Sequence, residues 1–213
     1  MGQKTHEGKS FLEQHSLAGL PKRRDRLKER FRTIQNSQNQ TTMQANDIFH
    51  SISPALAETI FRYFREEERD AYRSAIANLA EARKLRPVFI QKKPVSEQMA
   101  WMRKQLAQKS QATVAEHLLQ IWLVKDRPDM LVDFLDAVGI KHDGKGEVEE
   151  LPDELEADKV REGAETLLKE YPAEEVAVYL HLFQLQRPEG WPEIESLLKE
   201  DERLALHPKS EEG

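Results

Sequence analysis

The sequence predicts an all-α protein: a multi-helical body of stacked antiparallel helix pairs, preceded by a basic N-terminal helical arm. Three observations carry that expectation. Apolar residues recur at helical spacing from about residue 53 to residue 198. Nine Gly and ten Pro in 213 residues are too few for an all-β domain, which needs a turn about every ten residues. Ser, Thr and Pro stand where helices would begin, and Gly or X-Pro pairs stand where they would end.

The arm comes first. Ser10 and Glu13 have the spacing of a capping box, in which each side chain satisfies a free amide of the other's backbone. Gly19 ends that short helix, and Pro21 opens the next at a first-turn position. Leu20, Leu27, Phe31 and Ile34 form a narrow stripe, while Lys22, Arg23, Arg24, Arg26, Lys28 and Arg30 cover the remaining surface. Residues 35–46 are uncharged and nearly devoid of apolar side chains, which predicts a flexible linker. The expected layout is an arm over 1–34, a linker over 35–46, a helical body over 47–206 and a disordered tail over 207–213.

Within the body, Ser53-Pro54 starts a helical period that runs to about Leu85, with a break near Glu66–Arg69. Pro87 stops it, because the residue before proline avoids the α region. Val88, Phe89 and Ile90 read as a short extended piece. Ser96–Lys109 is helical, and Thr113 with Glu116 forms a second capping box that opens a helix to Lys125. Pro128 starts the next, which Gly139 terminates. After a polar, acidic loop over 141–150, Pro152 opens a helix that Tyr171-Pro172 breaks. Another runs from Ala173 to about Leu185, and the last holds Trp191, Ile194, Leu197 and Leu198.

Ala115–Leu135 can be laid on Ala177–Leu198, with both segments reaching an Arg-Pro-acid turn at Arg127 and Arg187. If the similarity is real, the body is a short superhelical repeat that buries an apolar face between neighbours. Amphipathic helices also align with one another by chance, and only the shared Arg-Pro-acid turn exceeds that.

Charge is divided along the chain. Residues 1–125 hold 22 Lys and Arg against 13 Asp and Glu, and residues 126–213 hold 10 against 25, so a net charge of −6 conceals halves of +9 and −15. Opposite fields can steer partners or join molecules head to tail. No Cys is present, which excludes disulfides, thiolate metal sites and cysteine nucleophiles. No apolar window approaches a membrane span of ~18 residues, and residues 1–19 carry no apolar signal core. A soluble, cytoplasmic protein without integral membrane association is expected.

Few residues suggest chemistry. Phosphate-loop, dinucleotide and nucleophile-elbow motifs are absent. The loop around Asp143 only glances at a calcium loop, since Lys141 and Lys145 stand where ligands belong. His117, expected to lean inward, His181 and Glu116 are the one enzyme-like set, and packed, hydrogen-bonded roles for both histidines are the ordinary alternative. No catalytic residue, cofactor or metal is expected. Trp191 stands between Gly190 and Pro192 at a helix start, where partial exposure would let it anchor a partner.

The expected function is therefore a non-catalytic protein–protein interaction or adaptor module. The groove between helix pairs and the acidic C-terminal surface are expected to do the binding, with Trp191, Arg127 and Arg187 as candidate partner-binding residues and the arm as a salt-sensitive second contact. The alternative is a nucleic-acid-associated protein that contacts phosphates without sequence preference through residues 22–32, from Lys22 to Arg30. Self-association through the oppositely charged halves is a third expectation.

Overall fold

Ten α-helices and two 3-10 turns build residues 42–206, the part of the chain that the computed structural model describes, and no strand occurs among the described residues. The fold class is all-α, as expected, with helices packed directly on helices. All described residues belong to one unit that begins at Thr42.

Helix α1 (Ala45–Ser51) starts two residues before the expected body, inside the segment read as linker. Asp47 makes this start: its carboxylate accepts the Gln44 N–H at 3.2 Å. Ile48 and Phe49 are fully buried, and so nearly are Ala45 and Asn46. Residues 42–46 therefore belong to the body.

Helix α2 (Pro54–Glu66) begins where Ser53 Oγ accepts the Leu56 N–H, at 3.1 Å. The same hydroxyl donates to Glu174 at 2.7 Å. The expected break falls at Glu67 and Glu68, and helix α3 (Arg69–Ala82) follows. Val88, Phe89 and Ile90 are not extended: they lie in a short helix, α4 (Pro87–Gln91). Pro87 sits in its first turn, where proline's fixed φ already suits a helix, and Lys92 N–H closes the turn on the Val88 carbonyl.

Helix α5 (Val95–Leu106) leads through a 3-10 turn (Lys109–Gln111) into helix α6 (Ala112–Asp126). That turn places Thr113 inside the helix, so the expected capping box does not form. Helix α7 (Pro128–Val138) ends at Gly139 in the left-handed conformation. Helix α8 (Ala157–Glu170) starts five residues after Pro152, where the sequence had suggested it would start. The Pro152 carbonyl is held instead by the Trp191 indole N–H at 3.0 Å and by Arg187 at 3.1 Å. Helix α9 (Ala173–Gln184), helix α10 (Pro192–Glu200) and a 3-10 turn (Glu202–Leu204) complete the described chain.

Helix α9 is the axis of the core. Val176, Ala177, Val178 and Leu180 are fully buried, so its middle is enclosed on every side, as a helix packed among others must be. It packs on α1, α6, α8 and α10. Its Tyr179 and Phe183 pack in series with Phe134 and Trp191, edge-on or tilted, with ring centroids 4.7–6.0 Å apart. Each such large side chain contributes roughly 1.5–3 kcal/mol by leaving water.

Candidate interaction surface

The three residues expected to bind a partner are committed inside the fold. Trp191 is completely buried, not partly exposed. Gly190, at φ 62°, turns the chain so that the indole enters the core. Arg127 Nε donates to Glu175 Oε2 at 2.7 Å, and its Nη1 donates to Asp126 Oδ2 at 2.6 Å. Its bond to Glu175 raises the guanidinium pKa above its ordinary value. Arg187 clasps the carbonyls of Pro152 and Asp153 and the Asp153 carboxylate. Both arginines lie over indole rings, Arg127 on Trp122 at 5.4 Å and Arg187 on Trp191 at 5.3 Å. They tie connections to the core, each with about a quarter of its side chain still exposed.

The two Arg-Pro turns also differ in geometry. Pro128 opens α7 directly, whereas Pro188 lies in a turn and α10 is opened by Pro192. Lys22, Arg23, Arg24, Arg26, Lys28 and Arg30 lie outside the described residues.

His117 is exposed, against the expectation that it leans inward. Burial pushes His181 down to about 4, so it is neutral at pH 7. Glu116 accepts a hydrogen bond from Gln120 at 3.1 Å. In the 141–150 loop, Asp143 Oδ1 accepts the backbone N–H groups of Lys145 and Glu147, at 2.8 and 3.0 Å. That carboxylate shapes its own loop. Among the described residues no group of three or more His, Asp and Glu is arranged to hold a metal ion. No described helix is long and apolar enough to cross a membrane.

Three other places stand out. The first is a knob over residues 83–93. Helix α3 ends in a Schellman motif, with Leu85 N–H on the Ala80 carbonyl and Lys84 N–H on the Glu81 carbonyl. Lys84 occupies its left-handed position at φ 55°, the one non-glycine residue with positive φ among the described residues. Ile90 anchors α4 in the core, while Leu85, Val88 and Phe89 stand exposed, Phe89 at 60%. Arg83, Lys84, Arg86, Lys92 and Lys93 surround them.

The second place is an open cavity of about 630 Å³ next to α4, lined by Arg65, Arg69 and Arg73 with Tyr72, Gln91 and Gln98. The third is an apolar cavity of about 340 Å³, whose lining includes Leu123, Val124, Val148, Leu151, Leu182 and Phe183. Glu147, Glu149 and Glu150 alternate with its lining residues along the loop and point to solvent.

Sequence reasoning missed the knob. Its signal was present: eleven residues with five cations and no acid, interrupted by Leu85, Val88 and Phe89. Comparison with protein-family models, with curated proteins and with solved structures found no match to this chain.

Proposed function

We propose that this protein is a cytoplasmic, non-catalytic helical interaction or adaptor module, with a cationic N-terminal arm and an acidic C-terminal half. The observation that carries this reading is the knob. Leu85, Val88 and Phe89 are three of the four large hydrophobic side chains exposed among the described residues, and they fall within five positions. Clustered exposed apolar side chains rimmed by charge mark surfaces that meet other surfaces.

The test is proximity labelling in cells with a label fused to the full chain. The set of labelled neighbours is expected to be lost on Phe89→Asp and kept on His181→Gln. The same set from wild type and Phe89→Asp overturns the reading.

A second reading is non-specific nucleic-acid binding through residues 22–32; the body itself has a cavity lined by Arg65, Arg69 and Arg73, with Glu66 also in its wall. A gel shift at low and moderate salt tests it. Binding lost when Arg23, Arg24, Arg26 and Arg30 become Gln supports it, and no binding at low salt removes it.

A further inference from the structure

We infer that a second copy of this chain docks head to tail on the first, the knob of one molecule seating in the apolar cavity of the next. The inference rests on the interaction-module reading and names its partner.

All four large hydrophobic side chains exposed among the described residues belong to these two places: Leu85, Val88 and Phe89 on the knob, and Val124 in the lining of the cavity. The knob is held rigid by the Schellman end of α3, by Pro87 and by buried Ile90, so presenting it costs little ordering. The cavity, at about 340 Å³, is lined mostly by apolar side chains, among them Leu123, Val124, Leu182 and Phe183, with Gln120 and Gln186 also in its wall. An apolar projection thus faces an apolar recess.

Charge matches in the same sense. Residues 83–93 carry five cations and no acid, a balance of +5. Gly146, Val148 and Leu151 line the cavity, and the stretch they span, residues 146–151, carries exposed Glu147, Glu149 and Glu150 and no cation, a balance of −3. Lys125, beside Val124, is already paired with Glu68 at 2.6 Å. On the knob, Lys93 is paired with Glu97 at 2.9 Å, while Lys84, Arg86 and Lys92 make no ion pair among the described residues. An anionic bilayer or a nucleic acid would account for the cations but leave the acid-framed cavity and Val124 without an occupant.

The two patches differ, so the contact is heterologous and each molecule offers both halves of it. Such contacts build rings or open chains.

Sedimentation velocity of the full chain tests this over a range of concentrations, at about 0.05 M and about 0.5 M salt, where screening differs several-fold. Concentration-dependent association is expected at low salt, weakened at least ~tenfold at high salt. Phe89→Asp and Val124→Asp should each weaken it at least ~tenfold, the loss of a central anchor, with unchanged melting because both side chains are exposed. A mixture of the two variants should form a 1:1 dimer and nothing larger, because the first keeps its cavity and the second its knob. A wild type that stays monomeric at all concentrations overturns the inference. So does a Phe89→Asp chain that associates as wild type does, or a variant mixture that remains monomeric. A monomeric wild type that binds anionic vesicles or DNA through Phe89 overturns it as well. If the monomer still shows Phe89-dependent labelling of another protein, self-docking fails while the interaction-module reading stands.

Discussion

The side-chain amide of Gln184 is paired with the backbone of Trp191. Its Nε2 donates to the Trp191 carbonyl at 2.9 Å, and its Oε1 accepts the Trp191 N–H. Gln184 is buried at the end of α9, and Trp191 is buried as the residue that precedes α10. Two backbone groups that would otherwise be orphaned in the core are thus satisfied by one side chain. Gly190 permits the approach, because a Cβ there would lie 2.7 Å from Gln184 Oε1.

Gln184→Ala should therefore destabilise the fold by about 2–4 kcal/mol, since it strands a donor and an acceptor where water has little access. Gly190→Ala should cost about 1–3 kcal/mol, from left-handed strain and from displacing the Gln184 amide. Urea denaturation measures both. A loss under about 0.5 kcal/mol at either site, the range of ordinary surface substitutions, would show that the amide pairing does not hold this turn.

Arg127 and Glu175 form the second clasp, joining the α6–α7 junction to α9. Glu175 is 7% exposed, so removing Arg127 leaves a carboxylate buried without its cation. Arg127→Ala is expected to cost about 3 kcal/mol. Arg127→Lys should recover only part of that, because an ammonium cannot reproduce the two-point contact or stack as well on Trp122. A double-mutant cycle with Glu175→Gln measures the coupling, and additive losses would mean that the two residues act independently.

The punctuation of the chain was legible because it is local. Ser53-Pro54, Pro128, Gly139 and Tyr171-Pro172 each fix a helix boundary through φ or a missing N–H, and the structure places helix ends at each. What depended on distant contacts was not legible. Helix α1 holds only a few apolar residues after an uncharged stretch, and its burial comes from α5, α6 and α9 packing around it. Trp191 looked exposed between Gly190 and Pro192 because nothing local shows that Gln184 receives it. Arg127 and Arg187 looked like surface cations for the same reason: Glu175 lies 48 positions from the first, and Asp153 lies 34 from the second. The knob was hidden differently. Val88, Phe89 and Ile90 form so short an apolar run that periodicity cannot tell helix from strand.

Lys84 bears a testable cost. At φ 55° its Cβ crowds the following carbonyl, a penalty of ~1 kcal/mol that glycine avoids. Lys84→Gly should raise the melting temperature by about 2–4 °C, the shift that ~1 kcal/mol gives for a body of this size. The same change removes one knob cation, so association at low salt should weaken while the fold strengthens. A lowered melting temperature would show that the lysine side chain stabilises the end of α3 by more than its backbone strain costs.

His181 makes stability depend on pH in a definite direction. Burial lowers its folded-state pKa from the ordinary 6.5 to about 4. Between those values the unfolded chain binds a proton that the folded chain resists, so the folded state loses ground as the pH falls. Stability from this group is whole above about pH 6.5 and declines below it by about 1.4 kcal/mol per pH unit, until the folded form titrates near 4. Between pH 6.5 and 5 most paired carboxylates are still ionised, which isolates the histidine. Urea denaturation across that window should show the decline in wild type and a nearly flat profile in His181→Gln. Parallel profiles for the two chains would mean that the imidazole reaches water in the folded state and that another group carries the acid sensitivity.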